Sequence, residues 1–272
     1  MAPQGSGHEG PVLVKLGGSL LTRKGEVEKL RPKVLARLAK ELAEGAPPRC
    51  VVLHGAGSFG HPGAARFGLA RAPDPSHPAA ERVRGAAIVS AEVRRLHLAV
   101  LRELVRAGLA PWSIPPASVA QNRTGALATF DSRPFAAALD RGQLPVAFGD
   151  VVPDDGWGFS ILSADTIAVE LARSLRASRV VFATDVPGVL EGPGGGRRTV
   201  VPIVDEVLLA RLRPGEGATD VTGGIRAKLV AMLAIARGGA DAGLISGLTD
   251  GAVSRAVRGE AVYGSWAHAR AP

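Results

Sequence analysis

The chain has 272 residues, 46% hydrophobic and 21% charged, enough to bury a substantial core as one large domain or two lobes. Thirty-three Lys and Arg against 25 Asp and Glu give a net charge of +8. The basic residues are spread along the chain, and aromatics make up only 4% of it, which argues against dedicated nucleic-acid binding. Residues Met1 to Gly10 are polar and read as a disordered tail, no apolar run approaches the roughly 18 residues of a membrane span, and the lone Cys50 permits no internal disulfide. A cytoplasmic protein without a signal peptide is expected.

Strands and helices alternate from the first apolar run onward. Val12-Leu13-Val14 reads as a strand entering the turn Lys15-Leu16-Gly17-Gly18-Ser19, and a helix follows with Val34, Leu35, Leu38, Ala39 and Leu42 on one face. Cys50 to Leu53 predicts a strand that empties into His54-Gly55-Ala56-Gly57-Ser58-Phe59-Gly60-His61-Pro62. Residues 66–78, rich in Pro and Ala, read as a loop or lid, and a long helix then carries Val93, Leu96, Val100, Leu101 and Leu104 to Gly108. A strand at 111–114, a short helix near 134–139, and strands 146–152 and 158–162 joined by Asp154-Asp155-Gly156 come next. Ser163 to Thr166 opens a helix with Ile167, Ala168, Leu171 and Leu175, strand 179–183 ends in Thr184-Asp185, and Gly192 to Gly196 is a loop. A last helix starts at Thr222-Gly223-Gly224 and carries Ile225, Leu229, Met232, Leu233 and Ala236. Such alternation predicts an α/β fold, a three-layer αβα sandwich with a mostly parallel central sheet, whose ligands bind beyond the carboxyl ends of the strands.

The turn after strand 50–53 presents bare backbone N–H groups, a natural cradle for phosphate. Gly55, Gly57 and Gly60 also fit the dinucleotide spacing G-x-G-x-x-G, but His61-Pro62-Gly63 and a proline-rich stretch follow where that fingerprint needs a helix. Asp74 sits between prolines, a poor place for the acidic partner. A P-loop would need Lys and Ser or Thr where His61 and Pro62 stand. Lysine is scarce: Lys15, Lys24, Lys29, Lys33, Lys40 and Lys228 are the six present. Lys29, Lys33 and Lys40 fit a solvated helix face, whereas Lys15 ends an apolar run and Lys228 stands alone after residue 40.

Taken together, Lys15 to Ser19, His54 to His61, Gly149-Asp150, Ser163-Ala164-Asp165, Thr184 to Leu190 and Thr222-Gly223-Gly224 with Lys228 resemble the amino acid kinase superfamily over residues 11 to 250. Phe59-Gly60-His61-Pro62 and Asp220 to Gly224 are similar to the isopentenyl phosphate kinases within it. The resemblance implies one domain over 11–272, with an acceptor lobe at about 11–165 and a nucleotide lobe at about 166–272. It implies ATP-dependent phosphorylation of an isoprenoid monophosphate, with Mg²⁺ carried on ATP rather than in a protein cage, and a homodimer. The acceptor oxygen of a phosphate monoester is already anionic, its second pKa being about 6, so the task is to hold two polyanions in line rather than to remove a proton.

By the same resemblance, Lys15 would neutralise the transferring phosphoryl, and Gly17, Gly18, Ser19 and Gly57 would let ATP approach the backbone. His61 would donate to the acceptor phosphate beside the amides of Ala56, Gly57 and Gly60, with Gly158 and Asp150 on the substrate side. Lys24 would be a further cation near the phosphates, and Asp165 would orient the lysines. Thr184, Asp185, Gly188 and Gly224 would line the nucleotide site, and Lys228 would reach the β and γ phosphates. Local alternatives stand beside these: His61 as a turn residue, His54 as structural, Asp165 as a helix cap, and Asp150 as a turn former or second acid. Ala56, Ala164 and Ser265 depart from the usual Gly, Gly and Thr. Small apolar residues from Val83 to Ile88 offer a slot for the tail. The nearest rival is a fosfomycin kinase acting on a small phosphonate, followed by a non-catalytic nucleotide-binding regulator.

Overall fold

The computed structural model describes residues 10–23, 25–74, 76–191, 198–212 and 224–269. Lys24, the 192–196 loop and Thr222-Gly223 lie outside those residues. Its main sheet is built from β1 (Val12–Leu16), β2 (Cys50–His54), β3 (Pro111–Ser113), β6 (Leu144–Phe148), β9 (Arg179–Thr184), β12 (Asp241–Ser246) and β13 (Gly264–Ala267). The spatial order is β13-β12-β9-β1-β2-β6-β3, parallel throughout except for the antiparallel β12/β13 pair. β1 is the middle strand of the seven with β2 beside it, and their carboxyl ends carry both glycine turns.

Strand periodicity decides what each face meets, because successive side chains of a strand point to opposite sides. On β1, Val12, Val14 and Leu16 pack with α2 (Pro32–Gly45), α4 (Ala79–Arg106) and α9 (Ala252–Val257) through Leu35, Leu38, Leu42, Leu96, Val100 and Val253. Leu13 faces the other way, to Ile167 and Leu171 of α6 (Ala164–Ser174) and Leu229 and Met232 of α8 (Gly224–Arg237). Cys50 and Val52 share the α2/α4 side, while Val51 and Leu53 share the α6/α8 side. Both faces are buried, so the strands are apolar throughout rather than alternating, as a helix-covered parallel sheet requires.

Three readings of the sequence need correction. The expected strand 146–152 is broken at Gly149: β6 stays in the main sheet, and β7 (Asp150–Asp154) leaves it to pair with β8 (Gly158–Leu162). A second small sheet, β5-β4-β7-β8, uses the hairpin of β4 (Ala120–Arg123) and β5 (Ala126–Phe130), whose strands are short and, in β5, largely exposed. A helix also does open after the phosphate turn, α3 (His61–Arg66), since proline is accepted in a first helical turn where no N–H partner is lost. A two-stranded ribbon of β10 (Leu190–Glu191) and β11 (Thr199–Val200), with the short helices α1 (Gly18–Leu21), α5 (Arg133–Asp140) and α7 (Glu206–Arg211), completes the described strands and α-helices.

Candidate active site

Lys15 has the parity of Leu13, so its side chain enters the α6/α8 layer and is buried at 6% exposure. An isolated ammonium there would cost several kcal/mol. Asp165 removes that penalty: its Oδ1 lies 2.9 Å from Lys15 Nζ and its Oδ2 lies 3.3 Å from Lys228 Nζ. Ser163 caps α6 by accepting from Thr166 N at 3.0 Å, which sets Asp165 in the first turn of that helix, and Lys228 comes from the first turns of α8. Burial alone would raise the Asp165 pKa, but the two ammonium groups overcome it and hold the carboxyl below its usual range. Two cations from distant segments are thereby fixed side by side on one carboxylate.

The two glycine turns meet as backbone on backbone. Gly55 N donates to Leu16 O at 2.9 Å, and a Cβ on Gly18 would stand 2.6 Å from Gly57 Cα. Gly57 has φ +51°, a conformation that only glycine adopts without strain, and Thr22 staples the pair by donating to Gly18 O at 2.8 Å and accepting from Ser58 N at 3.0 Å. Ala56 sits at φ −72°, so its methyl group is accommodated in the turn. Gly60 is packed so closely that a Cβ would meet Val93 Cγ2 at 2.9 Å. His61 is the first residue of α3 and is exposed. The amino end of α6 comes close as well: a Cβ on Gly149 would stand 3.4 Å from Ala164 N and 3.9 Å from Ala56 N.

On the other side of β1, Gly17 N donates to Ala183 O at 2.7 Å and Ser19 Oγ donates to Asp185 Oδ1 at 2.7 Å. Thr184, at the end of β9, is buried, and its hydroxyl accepts from Val186 N. Gly188 packs on Ser265, whose hydroxyl accepts from Val189 N at 2.8 Å and donates to Val201 O at 2.6 Å. Serine therefore supplies the hydroxyl expected of threonine at that position. Gly224 begins α8.

Asp150 falls elsewhere than expected. The Asp150 carboxylate is closed off from solvent, bound twice by Arg94 at 3.1 Å and by Val151 N at 2.9 Å, so it braces α4 against β7 rather than facing a ligand. Gly158 starts β8 in a cleft of about 390 Å³ lined by Pro73, His77, Arg82, Val83, Trp157 and Phe159. A larger, open cleft of about 670 Å³ is lined by Arg23, Glu26, Arg31, Pro32, Lys33 and Val34 and contains none of the lysine and carboxylate groups above. The region around Val83 to Ile88 contributes Ala86 to an apolar cluster with Val89, Val93, Leu69 and Phe148, against which Ala56 of the turn packs, while Val83 itself is 57% exposed. Sequence reasoning missed Thr22 and Arg94. Nothing in their local pattern marks them, because each acts on a segment far away in the chain.

The model of the amino acid kinase family matches residues 10–245. The chain belongs to the amino acid kinase family. Within that family it stands with the isopentenyl phosphate kinases. That of Methanothermobacter thermautotrophicus is 30% identical over 262 residues, covering 93% of this chain and 97% of its own. That of Haloferax volcanii is 37% identical over 229 residues, with 82% and 88% covered. A solved isopentenyl phosphate kinase structure is similar at a TM-score of 0.83 and 27% identity, with 94% of this chain and 99% of the other covered. In this family member, Asp165 brings together Lys15 from the end of β1 and Lys228 from α8, 213 positions apart.

Proposed function

We propose that this kinase transfers the γ-phosphoryl group of ATP to isopentenyl phosphate, giving isopentenyl diphosphate and ADP. An oxygen of the acceptor phosphate attacks the γ phosphorus, the bond from that phosphorus to the β,γ-bridging oxygen breaks, and ADP leaves with the electron pair. The observation that carries this reading is the buried Lys15-Asp165-Lys228 bridge beside two touching glycine turns. Charge, not proton transfer, is the obstacle in joining two polyanions, and fixed ammonium ions with backbone amides answer it without reorganisation.

In this reading Lys15 and Lys228 flank the transferring group, and Asp165 holds them together against their mutual repulsion. The Ala56 and Gly57 amides with His61 bind the acceptor phosphate. Gly17, Gly18, Ser19, Thr184, Asp185, Gly188 and Gly224 frame the nucleotide, and Lys24 adds a cation. The apolar cluster of Ala86, Val89 and Val93 offers the tail its surroundings. Mg²⁺ accompanies ATP: when bound, it neutralises charge on the β and γ oxygens. Both Asp165 oxygens already face ammonium groups, so this carboxylate does not present an open ligand to it. A regulator without activity would have no need of two buried ammonium groups on one carboxylate. Pairing with a second copy is supported by apolar side chains left exposed near the sheet edge, Trp112 on β3 and Leu98 and Val105 on α4; light scattering would measure it. Among the described residues no helix is long and apolar enough to cross a membrane.

The deciding experiment is a coupled ADP-release assay with isopentenyl phosphate, fosfomycin, glutamate and UMP side by side. Turnover of isopentenyl phosphate well above the others is expected. No turnover of it, with brisk turnover of fosfomycin, would move the chain to the phosphonate kinases.

A further inference from the structure

His54, the last residue of β2, has no part in the chemistry above, yet it is fully buried and sits directly before the phosphate turn. It has the parity of Cys50 and Val52 and so points into the α4 layer. There its Nε2 lies 3.0 Å from His97 Nδ1, and His97 Nε2 lies 2.7 Å from Ser113 Oγ on β3. The Phe148 ring packs against both imidazoles, with centroids 5.5 and 4.3 Å away. At its other nitrogen, His54 Nδ1 lies 3.1 Å from Gly55 O.

These contacts fix every proton. A carbonyl oxygen only accepts, so His54 Nδ1 must carry the hydrogen. Burial pushes the His54 pKa down to about 4 and that of His97 to about 3, and the nearby cations Lys15 and Arg94 add to the effect, so both rings are neutral near pH 7. His54 Nε2 is then an acceptor, His97 Nδ1 donates to it, and His97 Nε2 accepts from the Ser113 hydroxyl. One direction of donation runs from the sheet edge to the turn.

The Gly55 carbonyl and the Ala56 N–H belong to the same planar trans peptide and point in opposite directions. Among the described residues that peptide makes no main-chain hydrogen bond, although its neighbours are tied through Gly55 N to Leu16 O and Phe59 N to Ala56 O. We infer that His54 is the positioning residue of the phosphate turn: its Nδ1–H holds the Gly55 carbonyl and so aims the Ala56 N–H at the acceptor phosphate. Orientation set this way acts on acceptor binding and leaves the nucleotide side untouched. The inference rests on the acceptor role given above to the Ala56 amide.

Two substitutions separate the two ends of the ring. In His54→Asn the side-chain amide nitrogen falls near Nδ1 and can still donate to Gly55 O. In His54→Gln the amide reaches the Nε2 position instead, where its oxygen can accept from His97 Nδ1, and the side chain keeps only the His97 end. His54→Gln should raise the KM for the phosphate acceptor about tenfold, with the KM for ATP within twofold and kcat within about threefold, while His54→Asn stays within threefold of the parent in all three. Equal acceptor KM values for the two variants, or an ATP KM that moves as much, would overturn the inference. A second measurement needs no folded variant: ¹H–¹⁵N spectra of the histidine-labelled full chain should show His54 protonated at Nδ1 and bare at Nε2 between pH 5 and 8. A proton on Nε2 would also overturn it. Should the wild-type enzyme ignore isopentenyl phosphate, the substrate reading fails, whereas the tautomer and the acceptor KM for the monophosphate it does use still test His54.

Discussion

Gly18 and Gly57, 39 positions apart, touch through their backbones so closely that neither has room for a side chain. The contact makes one surface of two turns, one from the end of β1 and one from the end of β2. Gly18→Ala should force the turns apart and lower kcat/KM by at least about tenfold, because misplaced phosphate-binding amides lose charge-assisted hydrogen bonds worth about 1.5–3 kcal/mol each. Steady-state kinetics alongside thermal melting would show it; a Gly18→Ala enzyme as active as the parent would mean the contact has no bearing on phosphate binding.

The bridge at Asp165 gives a second prediction. Asp165→Asn keeps the shape but removes the charge that holds Lys15 and Lys228 together, so kcat should fall by about a hundredfold or more while the KM for ATP changes far less. Single-turnover rates with saturating nucleotide are the measurement.

His61→Ala tests the acceptor side. A hydrogen bond to a charged group is worth about 1.5–3 kcal/mol, so kcat/KM for the monophosphate should drop at least roughly tenfold. Unchanged kinetics would return His61 to being the opening residue of α3.

Asp154 ties the β7/β8 turn to the β4/β5 turn by accepting from Thr124 N, Gly125 N, Gly156 N, Trp157 N and Ser160 Oγ at 2.7–2.9 Å. Burial opposes its ionisation, but these donors prevail and hold its pKa at about 2. A folded-state pKa below the unfolded value of about 3.9 means stability that is present above pH 4 and is lost as the pH falls toward 2. Asp154→Asn should therefore be less stable than the parent near neutrality, and the gap in Tm should narrow from pH 4 to pH 2.

His54 and His97 act in the same direction but at higher pH. Their folded pKa values, about 4 and about 3, lie below the 6.5 of an unfolded histidine, so the unfolded chain binds protons first as the solution is acidified. Stability should fall from pH 6.5 toward 4, by up to about 1.4 kcal/mol per pH unit for each ring that stays neutral. Urea melts between pH 4.5 and 7 would read the slope, and His54→Asn should reduce it.

Much of the site was legible in the sequence because its groups lie at strand ends marked by glycine. Lys15 and the 54–61 turn stand at such points, Asp165 opens α6 and Lys228 follows Gly224 at the start of α8, and the ordered motifs resemble the family from the sequence alone. Asp150 was misplaced because Gly149 carries the chain out of the main sheet, a change of direction that no local apolar pattern records. The β4/β5 hairpin was missed for a similar reason: short, half-exposed strands hardly alternate.

By itself, the sequence determined the alternation of strands and helices, the period-two split of Val12 to Leu16 and Cys50 to His54 into two faces, and the positions of the turns, since all of these follow from local backbone preference and side-chain spacing. Only the tertiary structure decided which helix layer each face would meet. Lys15 and His54 lie near the carboxyl ends of adjacent strands with opposite parity, and nothing within either pentapeptide says that one faces Asp165 and Lys228 while the other faces His97. That choice comes from burying both faces of a single sheet at once, which selects partners far away in the chain by packing and by the cost of leaving a buried charge or polar ring without a partner.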